Sequence, residues 1–185
     1  VESIARDRLA NLQEDARTAV VAVDPSTGGV RAYYGGDEAS GWDYANAGLQ
    51  TGSVFKIFGL AAALQQGIPL SAYYDSAPVT VGNRTIGNDS GVNGGVTTLA
   101  EALKNSYNTS FLRLQDDLEN KMQDTADMAH ALGVARSLPG IEKTLTENGG
   151  TPFEGVVLGQ YQSRPLDMAT AMATLTNQGV WHQPH

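Results

Sequence analysis

The spacing of hydrophobic and polar residues divides the chain into short strands and helices. Residues Ser3 to Arg17 place apolar side chains at helical intervals, which predicts an N-terminal helix. Two apolar runs, Ala19 to Val23 and Val30 to Tyr34, flank the sequence DPSTGG at 24–29. Proline and paired glycines favour tight turns, so these runs predict a β-hairpin.

The rest of the chain is predicted to be mostly helical. The stretch from Ser53 to Gln66 is apolar on nearly every side, which predicts a buried helix. Residues 71–95 are rich in Gly, Asn, Asp and Thr and contain one short strand candidate, Val79–Val81. Thr97 and Thr98 are predicted to cap the next helix. The later helices are predicted at Leu99–Lys104, Ser110–Glu119, Lys121–Leu132 and Pro165–Asn177.

This order of elements predicts an α+β fold. We expect one partial domain over residues 1–185, without a linker that would separate two independent domains. Its parts are an N-terminal helix at 1–18, the first sheet strands and the buried helix at 19–95, a helical subdomain at 96–148, and a late helix returning to the sheet at 149–185.

Composition and charge exclude several classes of function. The 185-residue chain has a net charge of −8 and no cysteine. Its acidity disfavours nucleic acid and anionic membranes as partners, and the missing thiols exclude disulfide scaffolds, cysteine-ligated zinc and iron–sulfur clusters. The three histidines do not share a metal-binding spacing, so they do not indicate a metal site. The longest apolar run, Ile57 to Leu64, is too short to cross a bilayer.

Ser53 and Lys56 are the first candidate catalytic residues. They are three positions apart in the predicted buried helix, so both side chains lie on one face. A serine hydroxyl needs an adjacent base to become a nucleophile, and burial can lower the pKa of a lysine enough for that role. The alternative is a helix cap beside a surface charge, but Lys56 lies within an apolar run, where a solvated lysine is out of place.

Ser106 and Asn108 form the second candidate motif, Ser-x-Asn, between two predicted helices. A short loop at this position would direct a hydroxyl and a carboxamide into one cleft. The hydroxyl could pass a proton to a leaving group, and the carboxamide could bind a substrate amide. The alternative is an ordinary turn, because Ser and Asn both bond to their own backbone and interrupt helices.

The two motifs, in this order, resemble those of the penicillin-recognising serine acyltransferases, which include penicillin-binding proteins and serine β-lactamases. Residues 20–32, VVAVDPSTGGVRA, are similar to the opening hairpin of a class A penicillin-binding protein transpeptidase domain, and QTGSVFK at 50–56 is similar to its nucleophile segment. Its late helix resembles Leu158-Gly159, PLDMA at 165–169 and NQG at 177–179.

The resemblance implies a DD-peptidase/β-lactamase-like fold that is incomplete in this chain: a central antiparallel sheet without its later strands, plus a helical subdomain. The family's third motif, Lys-Thr-Gly, does not follow Ser-x-Asn, since Lys143-Thr144 continues with Leu145. We therefore expect this chain to be the N-terminal part of the domain. Its partner would be the remainder of the domain, which carries the Lys-Thr-Gly strand and is either a separate chain or removed. A glycosyltransferase domain and a membrane anchor are expected upstream of Val1.

The resemblance also implies a peptidoglycan D,D-transpeptidase. In that role Ser53 is the nucleophile, Lys56 its base, Ser106 the proton relay and Asn108 a substrate-binding residue. The expected partners are peptidoglycan stem peptides and β-lactam antibiotics, which would acylate Ser53, and the expected location is the extracytoplasmic face of the bacterial cell membrane.

Three alternatives remain open. A serine β-lactamase would need a carboxylate to activate water, and Glu142 in the segment EKTLT at 142–146 resembles such a position. A non-catalytic β-lactam-sensing module could use the same fold, because fold does not fix function. The motifs could also be coincidental in a small α+β domain, in which case a fluorescent penicillin would label nothing.

Overall fold

The computed structural model describes residues 1–10, 12, 16–36 and 41–185. They form two compact units, each assembled from separated stretches of the chain. The first contains residues Val1–Leu49, Ala129–Thr144 and Gln162–His185, and the second contains Gln50–Met128 and Leu145–Tyr161. The expectation of a single partial domain stays a prediction.

The first unit begins with a helix and the predicted hairpin. Helix α1 spans Glu2–Leu9, and Ala16 and Arg17 are not helical, so the predicted end at Arg17 was wrong. Residues 11 and 13–15 lie outside the described residues. Only Ala5 of α1 is buried, and a short helix with so little packing has nothing to stabilise further turns.

Strands β1 (Val20–Val23) and β2 (Val30–Tyr34) pair antiparallel, which confirms the hairpin. Their turn is closed by the Asp24 carboxylate, which accepts from the Ser26 backbone N–H at 2.9 Å. The register shifts by a bulge between Ala22 and Val23, which accommodates the extra residue of the turn.

The first unit also contains the late helix, α6 (Pro165–Thr176), near its predicted bounds. Arg164 is the residue before the helix, and Pro165 occupies the first helical position, where a missing N–H costs nothing. The Asp167 side chain accepts from the Arg164 backbone N–H at 3.3 Å, while α6 packs against β1. The helix start is therefore specified locally.

A helical core dominates the second unit. The predicted helix from Ser53 begins instead as a 3₁₀ turn at Gly52–Phe55 and continues as α2, Lys56–Gln65. Helix α3 spans Leu99–Lys104 as predicted, with Thr98 accepting from the Glu101 N–H at its start. Helix α4 spans Asn108–Asp116. The core consists of Leu60, Ala62, Ala63, Leu99, Ala102, Phe111, Leu112, Leu114, Leu118 and Val157.

Two antiparallel ribbons accompany these helices. Strand β4 (Tyr73–Asp75) pairs with β7 (Val96–Thr98), and β5 (Val79–Val81) pairs with β6 (Arg84–Ile86). Only β5 was predicted, because the others are three-residue segments with mixed polarity. Two further short strands are β3 (Leu49–Gln50) and β8 (Gln162–Ser163), and helix α5 spans Met122–Leu132. Within the described residues, no helix is long and apolar enough to span a bilayer.

Candidate active site

The site begins at a tight turn in the second unit. Gly52 has a φ of +60°, a conformation in which glycine has no Cβ penalty. This reversal starts the 3₁₀ turn and leaves Ser53 exposed. Phe55 and Phe58 are fully buried and pack edge to face with ring centroids 4.6 Å apart. The aromatic pair anchors the helix beneath an accessible serine.

Lys56 is fully buried one turn after Ser53. Its ammonium nitrogen lies 2.7 Å from Ser53 Oγ and 6.0 Å from the centroid of the Phe111 ring. It also lies 2.8 Å from the Ser106 carbonyl oxygen, 2.9 Å from Ser106 Oγ and 2.7 Å from Asn108 Oδ1. All four predicted site residues therefore meet around one nitrogen.

Ser106 occupies the left-handed position that ends α3. Its backbone N–H donates to the Leu103 carbonyl at 3.0 Å, and the Tyr107 N–H donates to Ala102 at 2.9 Å. This pair of bonds is the Schellman motif, in which glycine is the usual residue. Ser106 has a φ of +56° instead. A side chain kept at a strained position indicates a function for it, and in this loop the hydroxyl contacts Lys56.

Asn108 is the first residue of α4, so the motif lies at the helix start and the predicted start at Ser110 was wrong. Its carboxamide is held on both sides. Oδ1 accepts from Lys56 Nζ at 2.7 Å, and Nδ2 donates to the Gly87 carbonyl oxygen at 3.3 Å. This arrangement fixes which end of the amide faces the lysine.

Burial changes the acid–base behaviour of Lys56. Removal from water disfavours the charged form and lowers the pKa of Lys56 from 10.5 to about 8. An ammonium has three N–H donors, whereas four oxygens surround this nitrogen. When the amine is neutral it keeps two N–H donors, and its lone pair can accept the proton of the Ser53 hydroxyl, whose Oγ is 2.7 Å away. The cluster can therefore activate a serine near neutral pH.

A glycine that the sequence motifs did not indicate supports the Ser53 turn. Gly159 has a φ of +75° after the 3₁₀ turn at Glu154–Leu158, and a Cβ there would collide with the backbone of Gly52. Buried Gln115 donates to the Glu154 carbonyl at 2.9 Å and holds this segment in place. In the sequence, the fragment Leu158-Gly159 is notable only for its resemblance to the family's late segment.

Three of the four residues line an open cleft of about 480 Å³ in the second unit, while Lys56 is fully buried. Ser53, Ser106 and Asn108 line one part of it, and Asn88, Asp89 and Ser90 line another. The carboxylate considered for a β-lactamase, Glu142, is exposed and belongs to the first unit.

A serine with a buried lysine one turn later, joined by a Ser-x-Asn loop, defines the penicillin-recognising class of serine proteins. The family model described as the penicillin binding protein transpeptidase domain matches residues 18–185, and the chain belongs to this family.

Relatives agree with this assignment. The chain is 58% identical over 173 residues to penicillin-binding protein 1A of Mycolicibacterium smegmatis and 54% identical to that of Mycobacterium tuberculosis. Each alignment covers 92% of the chain, but 22% and 21% of the relatives. A structure of PonA1 from Mycobacterium tuberculosis in complex with penicillin V has a TM-score of 0.94 and 50% identity, over 99% of this chain and 50% of that one.

Proposed function

We propose that this chain carries the acylating centre of a peptidoglycan D,D-transpeptidase that β-lactams inhibit. The observation that carries the proposal is the buried Lys56 amine, 2.7 Å from an exposed serine hydroxyl. Membership of the transpeptidase family supports the reaction class, and a relative's complex with penicillin V supports the inhibitor class.

In the first step, Ser53 Oγ attacks the penultimate D-Ala carbonyl of a stem peptide while its proton moves to the neutral Lys56 amine. The carbonyl oxygen becomes an oxyanion, and N–H groups at the start of the Gly52–Phe55 turn can stabilise it. The C–N bond to the terminal D-Ala then breaks. The leaving amine takes a proton that the Lys56 ammonium passes through Ser106, whose Oγ is 2.9 Å from Nζ.

In the second step, the amine of a neighbouring stem attacks the acyl-enzyme. Lys56, neutral again, accepts the proton that this amine loses, and the bond between the acyl carbon and Ser53 Oγ breaks. Ser53 recovers its proton and the cross-link is complete. In both steps, the carboxamide of Asn108 binds a substrate amide with the N–H that Gly87 does not use. Neither step of this reaction requires a metal or a cofactor.

β-Lactams follow the first step only, because the opened ring stays attached and blocks the acceptor amine. The substrate is cell-wall material, so the proposed location is outside the cytoplasmic membrane, on a parent protein anchored to it. The Lys-Thr-Gly strand from the remainder of the domain would supply the substrate-carboxylate site and a second oxyanion donor.

The test is covalent labelling by a fluorescent penicillin, in the protein that carries the complete transpeptidase domain. Ser53→Ala should abolish labelling, because no other group takes the nucleophile's place. Ser71→Ala is the matched control: it changes an exposed serine of the same unit and should label normally. Labelling of Ser53→Ala would refute the assignment, and rapid turnover of penicillin by the parent would favour a serine β-lactamase.

A further inference from the structure

Asn88, in the loop between β6 and β7, forms hydrogen bonds through both ends of its side-chain carboxamide. Its Nδ2 donates to the carbonyl oxygens of Ser76 and Val92, each at 2.8 Å. Its Oδ1 accepts from the Thr109 backbone N–H at 3.1 Å. Thr109 Oγ1 lies 3.2 Å from the same oxygen, but its one proton is donated to the closer Ser76 carbonyl at 2.8 Å. A carboxamide that donates through Nδ2 and accepts through Oδ1 is fixed in one orientation.

The acceptor half of Asn88 caps helix α4 from outside the helix. A helix start normally receives its side-chain acceptor from the residue before the first turn. That residue is Tyr107, which makes no side-chain cap bond. Thr109 is the second residue of α4, and its N–H is bonded by Asn88 instead. A residue 21 positions earlier in the chain therefore supplies a cap bond to α4.

Gly87, next to Asn88, holds the neighbouring residue of the same helix turn. Its carbonyl oxygen accepts from Asn108 Nδ2 at 3.3 Å, so Asn108 Oδ1 is the end that faces Lys56 Nζ at 2.7 Å. If this amide rotated by half a turn, its NH₂ group would face the lysine. The dipeptide at 87–88 thus holds two consecutive residues at the start of α4.

The donor half of Asn88 closes the loop that forms the other side of the cleft. Its bond to Val92 spans residues 88–92, and four residues of this loop, Asn88, Asp89, Ser90 and Val92, line the cleft. Its bond to Ser76 joins the loop to a fully buried residue, whose carbonyl also accepts from fully buried Thr109 at 2.8 Å. The Asn88 side chain therefore connects the loop that lines the cleft to the start of α4.

We propose that Asn88 is a positioning residue for acylation, which sets the Asn108 carboxamide against Lys56 by capping α4 and holds the facing loop of the cleft. The inference rests on the proposed function. Asn88 does not contact the reacting atoms, so its loss should slow the chemical step of acylation more than it weakens initial penicillin binding.

The experiment compares Asn88→Ala with the parent in the protein that carries the complete domain. A fluorescent penicillin gives three quantities: the acylation rate constant, the dissociation constant of the initial complex, and the final labelled fraction. In Asn88→Ala the rate constant should fall about 10- to 100-fold, as expected for a small misplacement of reacting groups. The final labelled fraction should stay at the parental level, which a partly unfolded protein would not give.

Asn83→Ala is the matched control, because it removes an exposed asparagine from the β5–β6 turn. It should retain the parental rate constant. Asn88→Asp provides a second test should Asn88→Ala not fold. Aspartate has the same shape as asparagine but lacks the two N–H donors of Nδ2, so a carboxylate oxygen faces the carbonyls of Ser76 and Val92. The acylation rate constant should therefore fall about tenfold.

The outcomes separate this inference from the proposed function. A folded Asn88 variant with a full labelled fraction and a rate constant within about twofold of the parent overturns the role of Asn88 alone. Absence of labelling in the parent, or continued labelling of Ser53→Ala, overturns the proposed function and with it this inference.

Discussion

Each unit holds a cation against the protein, half-buried Arg164 in the first and fully buried Lys56 in the second, but the two are stabilised in opposite ways. In the first unit, the Arg164 guanidinium forms a multiple-contact ion pair with Asp167, whose shortest distance is 2.6 Å. In the second, the four oxygens around Lys56 belong to two hydroxyls, one carbonyl and one carboxamide. One cation is neutralised by a carboxylate, and the other is surrounded by uncharged groups.

The difference separates a structural cation from a reactive one. Hydrogen bonds with Asp167 raise the pKa of Arg164 and keep it charged. Burial without a carboxylate among its hydrogen-bond partners lowers the pKa of Lys56 to about 8. A permanently charged group can fix the start of α6, whereas a group that loses its proton near pH 8 can act as a base. Burial with no carboxylate to offset it lowers the pKa of Lys56, whereas the Asp167 carboxylate outweighs burial at Arg164.

The largest expected effect is on Lys56. Lys56→Met replaces the amine by an apolar side chain of similar length, so the nucleophile loses its base and acylation should slow by about 10³-fold. Urea unfolding should show a loss of about 1–3 kcal/mol, because the oxygens of Ser106 and Asn108 that accept from the amine lose their donor. Lys104→Met, at a side chain that is 74% exposed, is the control. Acylation at the parental rate would contradict a base role for Lys56.

For the Arg164–Asp167 ion pair, the expected effect is on stability. Asp167→Ala leaves Arg164 half-buried without its carboxylate, and the free energy of unfolding should fall by about 2–3 kcal/mol. Urea denaturation measures the change. Glu2→Ala removes the exposed partner of Arg6 and should cost no more than about 0.5 kcal/mol. Equal small losses in both variants would show that the Arg164–Asp167 pair stabilises the protein no more than the exposed Arg6–Glu2 pair does.

The pH dependence tests the state of Lys56 directly. Only the neutral amine accepts a proton, so the second-order acylation rate should rise about tenfold per pH unit below pH 8 and level off above it. The folded pKa lies below the value of about 10.4 for an unfolded chain. The unfolded state therefore binds more protons between these values, and stability should rise with pH in that window. A profile that is flat from pH 6 to 9 would contradict a neutral-base mechanism.

The smallest expected effect concerns the backbone at Ser106. Ser106→Gly relieves a positive φ, and the free energy of unfolding should rise by up to about 1 kcal/mol, while release of the terminal D-Ala slows because the hydroxyl that relays the proton from Lys56 is lost. In contrast, Ser71→Gly, at a residue without positive φ, should lower stability. If Ser106→Gly destabilised the protein, the Ser106 hydroxyl would stabilise the fold through its contact with Lys56. The claim that Ser106 is kept at a cost in stability would then be wrong.

The sequence predicted some elements well for local reasons. The β1–β2 hairpin, strand Val79–Val81 and helix Leu99–Lys104 follow from apolar runs bounded by turn or cap residues, and the structure confirms them. Strands β4 and β7 were missed because they pair across more than twenty residues and neither has a distinctive pattern of its own. Short ribbons of this kind are stabilised by their partners.

The candidate site was located from the motifs, but its supports were not. Asn88 lies in a loop rich in glycine and asparagine, where such a residue is typical of a turn. Gly159 likewise has no local signal that it must pack against Gly52. Both act through contacts with segments far away in sequence, so no spacing rule could identify them.

What the sequence alone determined is the relation of Ser53 to Lys56, because three residues along a helix place two side chains on one face whatever surrounds them. It also indicated that Ser106 and Asn108 lie between two helical stretches, although Asn108 proved to be the first residue of α4. Only the tertiary structure decided that the four side chains meet and that Lys56 is removed from water. Desolvation of an amine requires groups from distant segments to exclude solvent, and local sequence does not contain that information.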